Sequence, residues 1–425
     1  MTKLPPGWAS LPLAGVARLG SGGTPTAGNA DYYGGEIPWA VIGDLNDGLT
    51  TNTKSRITRR GLENSSAKMV PVDAILIAMY GSIGKLGVAG VEMATNQAIA
   101  FAIPNERVLP KYLFCYLLSQ RSDLDRAGKG ATQRNISQTI LRSWPVRFPA
   151  DLGEQRRIVA ILDDHLSRLD AASSYLEAAR LRAHTQMKAL LLEAVPERGR
   201  YPAGWRAVRI GEAGEVKLGR QRHPDWHNGS NMRPYLRVAN VFEDRIDTSD
   251  VMEMHWSEPA FEQFKLLPGD VLLNEGQSPE LLGRPALYRG DPPEVAFTNT
   301  LLRFRAHPDV LPEWALLVFR RHMHAGRFRK ESRITTNIGH LSSSRLKEIE
   351  FPIPPRVEQE QLVAKVRADL DDVERVRIAI RASDGRAQAL RRAILGAALS
   401  GQLTSQPRHE STDWDGRTET QDERT

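Results

Sequence analysis

The sequence predicts an α+β protein in which two similar mixed α/β modules are separated by a long antiparallel two-helix coiled coil. The first observation is an internal repeat. Leu4–Trp8 (LPPGW) returns as Tyr201–Trp205 (YPAGW), and Val70–Leu76 returns as Leu267–Leu273, about two hundred residues later. The second observation is that each copy is followed by a long heptad-like pattern. A period this long indicates a duplicated domain with its own helix rather than a solenoid unit.

The repeat continues to the beginning of each helical segment. Thr95-Asn96 returns as Thr298-Asn299, and Glu154-Gln155 returns as Glu358-Gln359. Two similar modules on one frame suit a protein that must read two separated features of one partner.

The composition predicts a globular protein. The 425 residues include 41% hydrophobic side chains, which is enough for two or three domains with proper cores. The formal charge is +6 and the pI about 9.4, which modestly favours a polyanionic partner, although an ordinary basic protein fits the charge equally well. The single cysteine, Cys115, lies in an apolar run, which predicts a core position and neither a disulfide nor a cysteine metal site.

The apolar runs and the chain ends indicate the location of the protein. Lys3 is followed by Leu-Pro-Pro-Gly rather than by an apolar stretch, and no run approaches the roughly 18 apolar residues of a membrane helix. We therefore expect a soluble, cytoplasmic protein. Residues 405–425 hold three arginines against six acidic residues and have almost no apolar content, which predicts a disordered polar tail.

Glycine-rich turns separate short runs rich in valine, isoleucine, leucine and alanine, a pattern typical of strands. In the first module the predicted strands include 74–78 and 97–103, followed by a helix over 111–120. In the second module the matching elements are strands at 270–273 and 301–304 and a helix over 312–324. The predicted boundaries are a first module over 1–150, a helical region over 151–195, a second module over 196–355 and a second helical region over 356–404.

Apolar or small residues alternate at spacings of three and four in both helical regions, which predicts a coiled-coil seam. The first seam runs through Ile158, Leu162, His165, Leu169, Ala172, Leu176, Ala179, Ala183, Met187 and Leu190. The second runs through Leu362, Val366, Leu370, Val373, Val376, Ile380, Ser383, Ala387, Leu390, Ile394 and Ala397. Each helix would be roughly 60 Å long. An antiparallel pair would act as a spacer between the modules; alternatively, each helix packs on its own module.

The sequence lacks convincing catalytic motifs. Asp291-Pro292-Pro293 resembles the start of an adenine methyltransferase motif, but Glu294 replaces the aromatic residue that would stack on a flipped base. Gly81–Lys85 lacks the first glycine of a phosphate-binding loop, and Leu86 replaces its serine or threonine. The histidine pairs lack a third metal ligand, and His165 is interpreted as a packed seam position. A duplicated, basic scaffold without such motifs is more simply a recognition protein than an enzyme.

Motifs throughout residues 4–404 resemble those of the specificity subunit of type I restriction–modification systems. They include Pro6-Gly7-Trp8 with its copy Gly204-Trp205, Gly22–Pro25, Tyr80–Lys85, Thr132–Ile136, the helix opening Glu154–Asp163 and the ending Ala393–Leu403. Any one of these motifs is weak, but their duplicated order is specific.

The resemblance implies two target-recognition domains, each reading one half of a split asymmetric site in double-stranded DNA, with paired helical regions as the spacer. It also implies two adenine methyltransferase subunits as partners and, in the restriction complex, motor–nuclease subunits. The specificity subunit itself performs no chemistry. We therefore expect no cofactor or metal on this chain, with S-adenosylmethionine, ATP and magnesium on partner subunits only.

Candidate DNA-binding residues are polar or basic side chains in glycine-containing loops, because lysine and arginine bind phosphates while Arg, Gln, Asn and Ser can read base edges. In the first module they are Lys54, Arg56, Ser82, Lys85, Lys129, Gln133, Arg134 and Asn135, with Arg59 and Arg60 as further phosphate candidates. In the second module they are Arg220, Gln221, Arg222, Gln277, Ser278, Arg284, Arg327, Arg329, Lys330, Arg333 and Asn337. Arg220–Arg222 are aligned with Ser21–Gly23, and Gln277, Ser278 and Arg284 with Ser82–Lys85. Asn96 and Asn299 are expected to hold backbone rather than to read bases.

Two other classes of function remain open on the sequence. An enzyme in its own right would need a methyl-donor site and a complete catalytic motif, and a structural coiled-coil scaffold would have no affinity for DNA. The sequence does not specify the DNA site, since recognition depends on loop geometry and on DNA deformation.

Overall fold

The computed structural model describes residues 4–129, 135–335 and 338–402. The predicted tail at 405–425 and the candidate residues Gln133, Arg134 and Asn337 lie outside the described residues. The chain divides into two compact units. The first unit contains the residues up to Tyr175 together with those from Ser383 onward, and the second unit is Leu176–Ala382.

The first module is mixed α/β, as expected. Its strands are β1 (Trp8–Pro12), β2 (Ala17–Ser21), β3 (Tyr33–Ala40), β4 (Leu49–Thr50), β5 (Ser55–Ile57), β6 (Met69–Val70), β7 (Ile75–Ala78), β8 (Leu86–Ala89), β9 (Met93–Thr95), β10 (Ile99–Pro104) and β11 (Pro145–Pro149). Its helices are α1 (Leu13–Val16), α2 (Arg59–Glu63), α3 (Pro110–Ser119), α4 (Arg121–Ala127) and α5 (Gln138–Ser143), and the long helix α6 (Leu152–Ala194) follows.

The second module repeats this order. Its strands are β12 (Arg206–Arg209), β13 (Gly214–Leu218), β14 (Met232–Leu236), β15 (Val241–Phe242), β16 (Arg245–Ile246), β17 (Met252–His255), β18 (Val271–Asn274), β19 (Gly276–Gln277), β20 (Pro285–Leu287), β21 (Ala296–Phe297), β22 (Leu301–Ala306), β23 (Arg333–Thr335), β24 (Ile338–His340) and β25 (Glu350–Ile353). Its helices are α7 (Ile210–Ala213), α8 (Glu258–Phe264), α9 (Pro312–His324), α10 (Arg327–Glu331) and α11 (Ser343–Glu348), and the long helix α12 (Arg356–Leu399) follows.

The duplication extends to the pairing of the strands. The order β2-β10-β7-β8 in the first module corresponds to β13-β22-β18-β20 in the second, and β5-β3-β9 corresponds to β17-β14-β21. In both copies the middle strand of the latter group pairs antiparallel on one side and parallel on the other. The first and last strands of each module also pair, β1 with β11 and β12 with β25.

The central strand of each larger sheet is buried on both faces. In β7, Ile75 and Ile77 pack into the core that contains α3, whereas Leu76 and Ala78 pack into a second core. In β18, Val271 and Leu273 face the core that contains α9, and Leu272 faces another. Because successive side chains of a strand point to opposite faces, a continuous apolar run is needed at this place in both copies.

A fully buried glutamine joins each long helix to its module, and we call each of these arrangements a glutamine clamp. Gln155 Oε1 accepts from Leu109 N at 2.9 Å, and its Nε2 donates to the carbonyls of Arg107 and Pro149, both at 2.9 Å. Leu109 is the N-cap residue of α3. The amide therefore connects the first turn of α6, the beginning of α3 and the end of β11.

The second glutamine clamp makes the same three contacts. Gln359 Oε1 accepts from Leu311 N at 2.8 Å, and its Nε2 donates to the carbonyls of Asp309 and Pro354, both at 2.9 Å. The Glu-Gln pair of the sequence repeat thus marks a structural joint that occurs once in each module.

The two long helices pair antiparallel. In the first unit, Ile158 and Leu162 of α6 share a core with Leu395 and Leu399 of α12. Twelve residues after Ile158, Asp170 forms an ion pair with Arg391, eight residues before Leu399. In the second unit, the carboxyl-terminal part of α6 packs with the amino-terminal part of α12. The expected two-helix pairing is therefore confirmed, and each helix contributes one segment to each unit.

The predicted seam was wrong at several positions. His165 and Ala172 are exposed, whereas the neighbouring residues Leu166 and Ser173 are half-buried. Val376 and Leu390 are likewise about half exposed. The longer apolar side chain of Leu166 provides more contact area than the imidazole of His165, so burial favours a register shifted by one residue.

The helix ends follow from local chemistry. The Asp151 carboxylate accepts from Gly153 N at 3.0 Å and Glu154 N at 3.1 Å, so it satisfies backbone donors at the beginning of α6. Gly401, in the left-handed region with φ of 82°, follows the end of α12. Among residues 4–129, 135–335 and 338–402, no helix combines the length and apolar character required to cross a bilayer.

A buried charged cluster holds α9 in the second unit. Glu243 Oε1 accepts from Arg320 Nε at 2.8 Å and lies 3.0 Å from His324 Nε2. Burial alone would raise the pKa of Glu243, but hydrogen bonds and charges from His324 and Arg320 lower it to about 2. The folded protein therefore favours the ionised carboxylate.

Replacing Gln359 by leucine is expected to lower the free energy of unfolding by about 3 kcal/mol, since it leaves three backbone groups without the partner that Gln359 provides. Urea unfolding of the full chain measures the loss. The control is Gln361→Leu, at an exposed position on the same helix, which should change the value by less than about 0.5 kcal/mol. An equal loss of unfolding free energy in the two variants would contradict the stabilising role of the glutamine clamp.

Replacing Glu243 by glutamine is expected to reduce the free energy of unfolding at pH 7 by about 2 kcal/mol. The pKa of the folded state is lowered from 4.5, so the contribution is present above that value and is lost as the pH falls towards 2. Urea unfolding at pH 7 and pH 3 should therefore show a smaller difference at the lower pH. The control is the exposed Glu253→Gln. A pH-independent difference for Glu243→Gln would contradict this explanation.

Candidate nucleic-acid interface

Four chain segments of the first module meet at one end of its sheets, and we call this the module 1 edge. Gly23 N donates to Thr95 O and Met79 N donates to Ala98 O, both at 2.9 Å. Ile136 N donates to Met79 O at 3.0 Å. Backbone bonds therefore place the segments 22–24, 95–98, 79–85 and 135–136 side by side, and Lys129 joins them through paired 2.8 Å bonds with Asn135.

Six side chains at the module 1 edge are exposed to solvent. They are Thr24, Tyr80, Ser82, Gln97, Lys129 and Asn135. The edge thus brings together three of the predicted residues, Ser82, Lys129 and Asn135. Thr24, Tyr80 and Gln97 were not predicted; the only signal in the sequence was their position beside repeated motifs, with Gln97 directly after Thr95-Asn96.

The second module has the equivalent edge, which we call the module 2 edge. Arg220 N donates to Phe297 O at 3.2 Å, Glu275 N to Thr300 O at 3.0 Å and Leu341 N to Glu275 O at 2.8 Å. Strand β19 then pairs with β24, and β24 pairs with β23. In the second module these segments therefore form a short sheet of three strands. In the first module the corresponding segments are joined by single bridges, from Asn135 to Tyr80 and to Lys129.

The structure corrects the predicted alignment of Arg220–Arg222. A Cβ at Gly22 would lie 1.9 Å from Thr95 O, and a Cβ at Gly219 would lie 2.2 Å from Thr298 O. These two glycines therefore occupy the same place, where the chain crosses its neighbour too closely for any side chain. Arg220 consequently corresponds to Gly23, two residues away from the predicted register.

Lys85 and Arg284 are equivalent, as predicted. Each follows a glycine in the left-handed region, with φ of 75° at Gly84 and 69° at Gly283. Lys85 Nζ donates to a backbone carbonyl at 3.4 Å, and the Arg284 guanidinium lies 4.7 Å from the centre of the Phe242 ring. Both cations are half-buried, and burial lowers the pKa of Arg284. The charged groups of Lys85 and Arg284 therefore contact the protein and stabilise the two loops, rather than extending into solvent.

Gln277 and Ser278 lie in the module 2 edge and are half-buried. Gln277 Oε1 accepts from Ser278 N at 3.1 Å. The residue that corresponds to Ser82 is Leu281, because Arg284 N donates to Leu281 O as Lys85 N donates to Ser82 O. The second loop is longer, so Ser278 has no direct counterpart.

Arg220 is held by aromatic side chains. Its guanidinium lies 3.7 Å from the Trp226 ring centre and 4.8 Å from that of Trp256, and Nη1 donates to His255 O at 3.2 Å. Burial lowers the pKa of Arg220. Gln221 and Arg222 follow it and are exposed, so Arg220 acts as the anchor of the loop that carries them.

The basic residues from Arg327 to Arg333 include an arginine that is paired with carboxylates and others that are exposed to solvent. Arg327 donates to both carboxylate oxygens of Glu350, with the shortest distance 2.9 Å, and also pairs with Glu331. The hydrogen bond from Glu350 raises the pKa of Arg327 well above its usual range. Arg329 and Lys330 are exposed. Arg333 begins β23, and nothing further is assigned to its side chain.

Lys54 and Arg56 are exposed but lie away from the edge. They flank or belong to β5, which is separated by β3 from β9, the strand that ends at Thr95. Arg56 donates to Gly35 O at 3.2 Å and to Glu36 O. Of the further phosphate candidates, Arg60 pairs with Asp31 at 3.2 Å and Arg59 is exposed. The structure therefore does not bring these residues together with Ser82 and Asn135.

The described part of the chain contains no group of three or more metal-binding side chains. The segment Asp291–Glu294 forms a turn between β20 and β21, and Glu294 forms ion pairs with Lys265 at 2.5 Å and Arg233 at 3.6 Å. This use of Glu294 agrees with the interpretation of the segment as a structural turn. The edges offer hydrogen-bonding and cationic side chains suited to recognition.

Comparison with known proteins identifies this kind of module. Residues 5–174 match the model of the type I restriction modification DNA specificity domain. The chain is similar to the EcoKI specificity subunit of Escherichia coli K12, with 23% identity over 97% of this chain and 92% of that protein. It is 32% identical to the EcoR124I/EcoR124II specificity subunit of Escherichia coli, over 36% of this chain and 39% of that protein.

Two further matches cover different shares of the chain. The MjaIX specificity subunit of Methanocaldococcus jannaschii is 24% identical over 62% of this chain and 64% of its own length. A chain from a solved type I restriction–modification system has the same fold, with a TM-score of 0.73 and 20% identity over 95% of this chain and 100% of that chain.

The duplicated fold and its two edges define a two-module recognition protein. Residues 5–174 match the type I DNA specificity domain family, and the chain as a whole is similar to type I specificity subunits. The resemblance stated from the sequence motifs is therefore confirmed. The matched relatives are named as specificity subunits of type I restriction enzymes, which agrees with the expectation of a recognition subunit rather than an enzyme.

Replacing Arg327 by glutamine is expected to lower the free energy of unfolding by about 2 kcal/mol, because Glu350 loses its charged partner. Arg329→Gln should change stability by less than about 0.5 kcal/mol while weakening duplex DNA binding and reducing the salt slope by about one. Urea unfolding and fluorescence anisotropy at several salt concentrations measure both effects. An Arg327→Gln variant of unchanged stability would contradict the structural role assigned to Arg327.

Proposed function

We propose that this chain is the sequence-specific DNA-recognition subunit of a type I restriction–modification complex. In this proposal each module reads one half of a split asymmetric site in double-stranded DNA. The observation that carries the proposal is that two equivalent edges share one backbone frame but present different side chains.

Differences between the edges are of the kind that direct readout requires. The module 1 edge presents Ser82, Gln97 and Asn135, whereas the module 2 edge places Gln277 and Glu275 in the corresponding segments. Amide, hydroxyl and carboxylate groups recognise different base edges in the major groove. A shared frame with different polar groups therefore supports two half-sites of different sequence.

Exposed cations supply the sequence-independent part of the proposed binding. Lys129 lies at the module 1 edge, and Arg329 and Lys330 lie in α10, shortly before β23 of the module 2 edge. Such side chains contact phosphates and give affinity that falls with salt. Gln221 and Arg222, exposed after the Arg220 anchor, extend the proposed surface of the second module.

The helical regions fit the role of a spacer that also docks partner subunits. Helices α6 and α12 each contribute a segment to both units. Tyr175, with 77% exposure, and Leu181, with 66%, are apolar side chains outside the seam. We propose that the helices fix the spacing of the half-sites and dock two adenine methyltransferase subunits, with motor–nuclease subunits joining the restriction complex. S-adenosylmethionine, ATP and magnesium would then bind to those partners.

The decisive experiment is base-resolution mapping of DNA methylation after expression of this chain with its neighbouring methyltransferase subunit. The expected result is methylated adenine in a single split motif, present only when both proteins are expressed. Each subunit alone is the control. A soluble complex that binds DNA but methylates no split motif would overturn the modification role, and absence of DNA binding would favour a structural scaffold.

Single substitutions at the two edges should act on different halves of the motif. Asn135→Ala is expected to relax recognition in one half only, and Gln277→Ala in the other, by about 10-fold at the affected base pair. The same methylation map measures both effects, and each variant is the control for the other. Relaxation of the same half-motif by both variants would contradict the assignment of one half to each module.

A further inference from the structure

We propose that Gln97 reads an adenine in the half-site recognised by the first module, and that Thr24 is the residue that positions it. This inference rests on the proposed function and deepens it, because it assigns one base contact to one side chain. Gln97 is exposed at the module 1 edge, in the turn between β9 and β10.

The turn that carries Gln97 is rigid. Asn96 Oδ1 accepts from Ala98 N at 3.2 Å, and Ile99 N donates to Asn96 O at 3.2 Å. Neighbouring segments hold the turn on both sides, through the bonds of Gly23 N to Thr95 O and of Met79 N to Ala98 O. Asn96 thus serves the backbone, as expected, and Gln97 is the residue of this turn whose side chain reaches solvent.

The amide of Gln97 is also oriented. The Thr24 hydroxyl donates to Gln97 Oε1, which leaves the second lone pair of that oxygen free. Within the described residues the Nε2 group makes no hydrogen bond to protein. One acceptor and one donor are therefore presented together, and fixing the side chain before binding reduces the entropy lost on binding.

The residue that positions the amide is itself anchored. Trp39 Nε1 donates to Gly23 O at 3.1 Å, and the Tyr33 hydroxyl donates to Pro25 O at 2.7 Å. These bonds fix the backbone on both sides of Thr24. The hydroxyl consequently points at Gln97 from a defined direction.

Adenine is the base that matches this arrangement. In the major groove it offers the N6 amino donor and the N7 acceptor, which pair with the oxygen and nitrogen of a glutamine amide. Guanine offers two acceptors there, O6 and N7. The Gln97 oxygen, itself an acceptor, would therefore face another acceptor and form no hydrogen bond. Ser82, Asn135 and Lys129 lie on the same edge and can contact adjoining bases or phosphates.

The second module differs from the first at the position of the oriented glutamine amide. The residue that corresponds to Gln97 is Asn299, because Glu275 N donates to Thr300 O as Met79 N donates to Ala98 O. Asn299 is half-buried, and within the described residues no hydrogen bond orients its shorter amide. The amide that a threonine hydroxyl orients is that of Gln97, so the proposed adenine contact is assigned to the half-motif of the first module.

The test uses the full chain assembled with its methyltransferase subunit and a library of DNA sites randomised around the mapped motif. Gln97→Ala is expected to reduce discrimination for adenine by about 10- to 100-fold at one position of one half-motif. Gln97→Glu should favour cytosine at that position, because a carboxylate accepts from the cytosine N4 amino group. Thr24→Val should weaken discrimination at the same position by a smaller factor.

The matched control is Gln263→Ala, which makes the same change at an exposed position on α8 of the second module and should leave every position unchanged. Thermal unfolding checks that each variant folds. Unchanged discrimination by Gln97→Ala, or an equal loss of affinity for all sequences, would overturn the inference. A wild-type complex without any split motif would instead overturn the proposed function.

Discussion

The two buried glutamines are the constraint on which the architecture of each unit depends. Gln155 and Gln359 each place one amide between the first turn of a long helix, the start of a module helix and the last strand of the module. A buried amide that loses these partners is costly, so only one orientation of helix against module satisfies all three bonds. Each helix therefore leaves its module in a defined direction, which a spacer requires.

Burial of the central strands determines where variation is possible. The side chains of β7 and β18 are committed to two cores each, so changes there would disturb packing. The turns at the strand ends have no such commitment, and their positions are maintained by backbone bonds that are independent of side-chain identity. One frame can therefore carry the exposed Gln97 in one copy and the shorter, half-buried Asn299 in the other.

Charge alone is a poor guide to binding in this protein. Arg220 rests on two tryptophans, Arg284 on Phe242, and Arg327 on Glu350. These arginines came from the same loop patterns as the exposed Arg329 and Lys330, and nothing local in the sequence separates the two groups. The difference arises from partners far away in the chain, such as Trp256 and Glu350, which become neighbours only in the folded module.

The sequence by itself determined the duplication, the α+β class, the long helices and the position of the clamps, because these follow from local periodicity, repeated motifs and end signals. It also carried the resemblance to type I specificity subunits. The tertiary structure decided the seam register at Leu166, the equivalence of Gly22 with Gly219, and the edge that exposes Gln97. Those features depend on backbone contacts between segments distant in sequence, such as Met79 with Ala98 and Ile136, and no local pattern encodes which segments will meet.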